Sequence, residues 1–180
     1  MQDLAGLPYG GEPVDQLVHA LEAAALAQAE GADEDLVLAA LLHDVGRAPA
    51  VAERYPGLGH DAAGENFCRE VLGDRVAWLV GSHAQAKRYL VTTDASYTAR
   101  LTEASVRSLA VQGGPMSATE VFEFEAHPWA ADAIRLRRWD DAAKDPGGKC
   151  ADLGEMMDLY ASHRITTRSG VSAAPGETTY

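Results

Sequence analysis

The residues of this 180-residue chain whose types and spacing can do chemistry are its six histidines, a few acids and a few cations. His43 and Asp44 stand side by side in "AALLHDVGR", residues 39–47, at the end of an apolar run. Leu36, Leu38, Leu41, Leu42 and Val45 surround them, so at least one of the two points inward. Consecutive helix residues lie about 100° apart, so both can reach one central site near a helix end. A buried carboxylate needs a partner, and a bound metal answers the aspartate and the imidazole together. The alternative is a His–Asp pair capping a helix at the surface, and the apolar setting argues against it. His19 shares a helical face with Leu17, Leu21 and Leu26; alone, it reads as a core histidine satisfied by a neighbour. His60 in "GLGH" and His83 in "VGSHAQAK" follow, and "RLRRWDDAAK" adds Asp140 and Asp141. Lys87 lies four residues after His83, on the same helix face. His127 and His163 fall outside this order and read as surface residues.

These groups need elements to carry them. About half the residues are apolar, aromatics are few and strand-like alternation is absent, which predicts a helical domain. Pro13 starts a first helix that runs to about Glu30 and stops at Gly31. Asp33 caps a second, residues 34–45, closed by Gly46. "APAVAERYPGLGH" reads as a loop. Helices follow over 61–72 and 74–90, one or two over 94–111, a short one in "SATEVFEFEAHP", then Ala130–Lys144 and an amphipathic 152–164. The sum is an all-α single-domain bundle of about seven to nine helices. The domain spans 1–167; the Ser/Thr/Gly-rich segment 168–180 reads as a flexible tail. A net charge of −12 argues against nucleic acid and anionic membrane as partners, and means that an anionic substrate must meet local cations or metal. Cys68 and Cys150 have no metal-site or CxxC spacing and read as reduced thiols. No secretory segment or membrane-length apolar run is present, which predicts a cytoplasmic protein.

His19, then His43–Asp44, then Asp140 resembles the HD-domain metalloenzyme superfamily, and the added His60 and His83 resemble its dimetal subfamilies. Four imidazoles and two carboxylates suffice for two ions, and ligation without thiolate suits iron or manganese. Further details narrow the resemblance. "YGGE" places Tyr9 and Glu12 ten and seven residues before His19, and Asp140 stands four before Lys144. With His83-x3-Lys87, this set is similar to the mixed-valent di-iron HD-domain oxygenases that cleave organophosphonates, over residues 8–160. The resemblance implies His19, His43, Asp44 and Asp140 on one iron and Asp44, His60 and His83 on the other, with Asp44 shared. It favours Asp140 over Asp141 by the step to Lys144. It implies that Lys87, Ser105 and Arg137 hold the phosphonate, with Ser108 and Gln112 as second-rank candidates. Periodicity leaves open which of Arg135, Arg137 and Arg138 faces inward. Tyr9 and Glu12 would form a lid, the tyrosine able to take an iron position, the glutamate facing the substrate's amino end; Tyr9, Glu12 and Lys87 are the implied catalytic residues. The implied activity uses an Fe(II)/Fe(III) pair and O2 as co-substrate to cleave the C–P bond of a 1-hydroxyphosphonate. That substrate would be 2-amino-1-hydroxyethylphosphonate or its N-trimethylated analogue, giving phosphate and glycine or glycine betaine. Two other readings use the same residues: a dimetal phosphohydrolase acting on a small phosphate ester, and a non-catalytic sensor, against which the complete ligand set argues. The head group, amine, trimethylamine or none, and the oligomeric state stay open in the sequence.

Overall fold

The structure, a computed structural model, describes the backbone of residues 1–170 and the side chains through Arg164, that of Gln2 apart. Among these residues the regular structure is helical, with ten α-helices and one isolated bridge, Pro8 to Asp15. No described helix is long and apolar enough to cross a membrane.

Helix α1, Gln16–Ala29, starts three residues later than the proline suggests. Asp15 is extended, and its carboxylate accepts from Val18 N at 2.8 Å and from Gly6 N at 3.0 Å. That cap satisfies a helix-start amide that Pro13 could not, so it fixes the boundary. Gly31 ends the helix at a positive φ of 66°. Helix α2, Glu34–Leu42, is capped by Asp33 as expected. It stops at Leu42 rather than near 45; His43 and Asp44 leave the helix into a 3₁₀ turn, Val45–Arg47. The "APAVAERYPGLGH" segment is not all loop: Pro49–Arg54 forms α3, with the proline in the first turn, where its missing N–H costs nothing.

Helices α4, His60–Leu72, and α5, Asp74–Thr93, meet at Gly73, whose φ is 94°. Next come α6, Ala95–Thr98, and α7, Glu103–Val111, which Thr102 caps. Helix α8, Ala118–Glu125, opens with a reciprocal capping box of Ser117 and Glu120. Helix α9 is Ala130–Ala142 and α10 is Leu153–Gly170. Helix α10 therefore includes the first three residues of the expected tail; 171–180 lie outside the described residues.

After its first two residues, Glu34 and Asp35, helix α2 is apolar on every side, and Leu36, Leu38, Ala39 and Leu41 are all at most 1% exposed. A helix with no polar face is stable only in the interior. Accordingly α1, α5, α9 and α10 pack around it, and α4 lies along α5. Each fully buried leucine there contributes on the order of 2 kcal/mol. This frame sets the exit of α2, where His43 and Asp44 emerge, facing α1, α4, α5 and α9.

Candidate metal centre and substrate cleft

Two clusters form at that exit. In the first, α1 supplies His19, the end of α2 supplies His43 and α9 supplies Asp140. His19 Nε2 lies 2.9 Å from His43 Nε2 and 3.4 Å from Asp140 Oδ1; His43 Nε2 lies 3.8 Å from the same oxygen. In the second, His60 at the start of α4 and His83 on α5 bring their Nε2 atoms within 3.2 Å of each other. Asp44 Oδ1 lies 3.2 Å from His60 Nε2 and 3.8 Å from His83 Nε2. Within each triad the candidate ligand atoms all lie within 4.8 Å of one another. The rings of His43 and His83, 5.5 Å apart and nearly perpendicular, join the two. The structure thus brings Asp140, not Asp141, to the imidazoles.

Backbone carbonyls fix the imidazoles. Nδ1 of His19 bonds Ala143 O at 2.6 Å, that of His43 bonds Ala40 O at 2.8 Å and that of His83 bonds Val80 O at 2.7 Å. A carbonyl only accepts, so each of these Nδ1 atoms carries a proton, and wherever the ring is neutral its Nε2 turns a lone pair to the cluster. Two lone pairs facing each other at 2.9 Å repel unless a cation lies between them. Burial pushes His43 down and His83 down to about 3, which keeps both neutral and able to ligate. Burial also opposes charge on Asp44 and Asp140. The His60 hydrogen bond and nearby Arg47 outweigh it at Asp44, and Arg137 and the His19 hydrogen bond do so at Asp140, holding both well below the usual carboxylate range. At His19 the two carboxylates overcome burial and raise its pKa. Two triads, each of two imidazoles and a carboxylate, with outer carbonyls orienting His19, His43 and His83, fit two metal ions of the nitrogen- and oxygen-loving kind.

The remaining expected residues meet above these clusters in one cleft of about 830 Å³. Asp44, His60, His83 and Asp140 line its floor, while His19 and His43 lie beneath. Tyr9 stacks on the His19 ring at 3.8 Å and its hydroxyl donates to Asp140 Oδ1 at 3.0 Å. Burial and the charges of Asp140 and Asp44 push its pKa well up, so it stays a phenol. Glu12 accepts from the Thr102 hydroxyl at 2.7 Å, and Lys144 stands 3.6 Å away. Lys87 donates to Ser108 Oγ at 2.6 Å; burial and nearby Arg137 push it down to about 8. Ser105 receives Lys144 at 3.3 Å, and the buried amide oxygen of Gln112 has no partner.

Arg137 is the inward arginine; Arg135 lies over Trp139 and Arg138 is exposed. Its Nη1 donates to Asp140 Oδ2 at 2.6 Å, its Nη2 to Asp141 Oδ1, and its Nε to both Tyr97 Oη and Asp141 Oδ2 at 3.0 Å. The guanidinium therefore braces Asp140 as well as lining the cleft, a duty that residue type and spacing do not reveal. Tyr97 and Lys144 were likewise not singled out as site residues. Nor was Arg47, whose Nε lies 3.0 Å from Asp44 Oδ2 and Nη2 3.2 Å from His60 Nε2. Its position three residues after Asp44, in a turn, was the available signal. Trp78 and Tyr89 lie away from the cleft in an aromatic cluster with Phe124. His127 and His163 are half-buried rather than at the surface: His127 stacks on Trp78 at 3.6 Å, and His163 meets Asp35 at 3.1 Å.

A model of the HD domain family matches residues 17–111. Over 164 residues the chain is 40% identical to hydroxymethylphosphonate dioxygenase of Gimesia maris, covering 86% of this chain and 80% of the relative. It is 38% identical over 161 residues to (1-hydroxy-2-(trimethylamino)ethyl)phosphonate dioxygenase (glycine-betaine-forming) of Leisingera caerulea, covering 84% and 77%. Uncharacterized protein L432 of Acanthamoeba polyphaga mimivirus is 35% identical over 150 residues, covering 79% and 68%.

Proposed function

This chain belongs to the HD-domain family, and from that premise we propose that it is a two-metal oxygenase that uses O2 to cleave the C–P bond of a small 1-hydroxyphosphonate. One observation carries the reading: two His/carboxylate triads, buried apart from the half-buried His60, open into a cleft whose wall also holds Lys87 and Ser108. The relatives named for phosphonate dioxygenation support the choice of oxidation over ester hydrolysis.

The reaction balances without an outside reductant. A 1-hydroxyphosphonate plus O2 gives a carboxylate plus phosphate: the C–P bond and a C1–H bond break, C1 rises to the carboxylate level, and dioxygen takes all four electrons from the substrate. When bound, an Fe(II)/Fe(III) pair would supply the electron transfer to dioxygen and Lewis acidity toward the substrate's oxygens. His19, His43 and Asp140 would hold one ion, and Asp44, His60 and His83 the other. Asp44 is the carboxylate that would be shared between them, and Arg47 Nε, 3.0 Å from its Oδ2, neutralises part of its charge.

The chain's own residues do the rest. Lys87, with Ser108 and Ser105, answers the phosphonate charge through charge-assisted hydrogen bonds. Arg137 adds positive charge behind Asp140. Tyr9 leaves Asp140 Oδ1 as substrate enters, and the segment from Tyr9 to Glu12 covers the cleft against water. Glu12 at this end favours a cationic head group. That points to 2-amino-1-hydroxyethylphosphonate or its N-trimethylated analogue, with glycine or glycine betaine as product.

The test is a panel of hydroxyphosphonates with an amine, a trimethylamine or neither, given to iron-loaded enzyme while oxygen uptake and phosphate release are recorded. The expected result is one phosphate per O2. Phosphate release under strict anaerobiosis would sink the oxygenase reading in favour of hydrolysis. Glu12→Ala should depress only the amine-bearing substrates; an equal loss across the panel removes Glu12 from head-group recognition.

A further inference from the structure

We propose that Tyr97 is a positioning residue: its buried hydroxyl sets the Arg137 guanidinium so that one side chain both orients Asp140 for metal and meets the anion in the cleft. This rests on Asp140 as a ligand and on Arg137 as a contact for the substrate's anionic group, not on the identity of the rest of the substrate. Arg137, Asp140 and Asp141 all lie on α9, the acids three and four residues after the arginine. Pairs of that spacing run along one helix and give the guanidinium no anchor outside it. Among the described residues, the hydrogen-bond partner that reaches Arg137 from another element is Tyr97.

Tyr97 belongs to α6, a helix of four residues that follows α5. Asp94 closes α5 and opens α6, and its carboxylate accepts from the amides of Ser96 at 2.9 Å and Tyr97 at 3.2 Å. The tyrosine is thereby fixed to the helix that carries His83 and Lys87, and it is 5% exposed. Its hydroxyl donates to Asp141 Oδ2 at 2.6 Å and accepts from Arg137 Nε at 3.0 Å. Burial pushes its pKa up, so the donated proton stays on the phenol. With Nε held there, Nη2 reaches Asp141 Oδ1 and Nη1 reaches Asp140 Oδ2 at 2.6 Å. That engages Asp140 Oδ2 and leaves Oδ1 as the oxygen beside His19 and His43, at 3.4 and 3.8 Å. Each Nη keeps a second N–H with no acceptor among the described residues. Arg137 lines the cleft, so these are the donors it can offer an anion there.

The experiment compares Tyr97→Phe, which keeps the ring and removes only the hydroxyl, with the unaltered full chain. Zinc(II) is titrated into 15N-histidine-labelled protein and followed at each imidazole by long-range 1H–15N correlation. Inorganic phosphate is then titrated by calorimetry at saturating zinc. Zinc affinity reported by His19 and His43 should fall about tenfold, with that reported by His60 and His83 unchanged, and phosphate affinity should fall roughly tenfold. In an Arg137→Lys background the same substitution should change neither, because lysine has no Nε–H for the hydroxyl to hold. Losses of the same size in that background, equal weakening of both triads, or zinc and phosphate affinities unchanged in Tyr97→Phe would overturn the proposal. Should Arg137→Lys fail to fold, the difference between the triads in Tyr97→Phe decides alone. Zinc ignored by His19 and His43 in the unaltered chain would sink the two-metal reading as well. Neither oxygen uptake nor C–P cleavage is read, so failure of that chemistry leaves the outcome untouched.

Discussion

At the scale of single residues, the charge of Lys87 has a consequence for pH. Burial and the neighbouring Arg137 push its pKa down to about 8, so it is charged below that pH and neutral above it. Phosphonate binding that uses this charge weakens as pH rises through about 8. The profile of kcat/KM, which reports free-enzyme groups, should therefore show an alkaline limb near that value. Lys87→Arg should move the limb upward, since a guanidinium stays charged, and Lys87→Met should abolish it with a loss of roughly ten- to hundredfold. A limb unmoved in Lys87→Arg would assign it to another group. Arg137 makes a different prediction. It is buried against Asp140 and Asp141, so Arg137→Met strands two carboxylates and should cost about 3–5 kcal/mol in urea unfolding of the metal-free protein. A residue that only held substrate would leave stability unchanged. Site residues are not equally legible in the sequence. His43 and Asp44 declare themselves by polar chemistry inside an apolar run. Arginines at 135, 137 and 138 do not, because which one turns inward depends on how α9 sits on α5 and α1, which no local period records.

At the scale of elements, most helices were legible because glycines and caps mark their ends: Asp33 before α2, Gly31 after α1 and Gly73 between α4 and α5. Besides the later start of α1, two elements differ from the sequence pattern for physical reasons. Helix α3 is hidden by its own proline, which starts a turn as readily as it breaks one. Helix α2 was drawn through Val45, where the structure turns out after Leu42, because His43 and Asp44 must diverge to serve separate triads. Gly46 reads in the sequence as a helix stop, and its packing gives a stronger reason for glycine. A Cβ there would meet His60 O at 1.9 Å and Gly64 N at 2.9 Å, so the turn carrying Asp44 lies in backbone contact with the helix carrying His60. Gly46→Ala must part these elements, and overpacking of this kind costs about 1–3 kcal/mol. The expected outcome is lower metal affinity at His60 and His83 with helical content unchanged by far-UV circular dichroism. Equal affinity at all four imidazoles would show that the close approach does not set the second triad.

For the whole molecule, the net charge of −12 and the cleft pull in opposite directions. Asp44 and Asp140 converge with four imidazoles, while Lys87, Arg137, Lys144 and Arg47 ring the same space. Composition predicted a helical domain without strands, and order along the chain grouped the candidate ligands. What it could not give is that one helix exit, α2, forms the meeting point for four other helices, because that follows from packing around a helix apolar on every side after its first two residues. This convergence ties stability to metal. Unfolding scatters the donors over α1, α4, α5, α9 and the end of α2, so ions bind the folded chain far better than the unfolded one. An ion at 100 times its Kd stabilises by about 2.7 kcal/mol, which for a chain of this size raises Tm by on the order of 5–10 °C. Removing metal with a chelator should lower the calorimetric Tm by that amount, and adding back iron(II) should restore it. His19→Ala should reduce the response by removing a donor from the first triad, while Cys150→Ser, an exposed residue away from both triads, should leave it whole. A Tm indifferent to chelator would mean that the two triads hold no ion in the folded protein, and that the close approach of His19 and His43 is relieved by a proton alone.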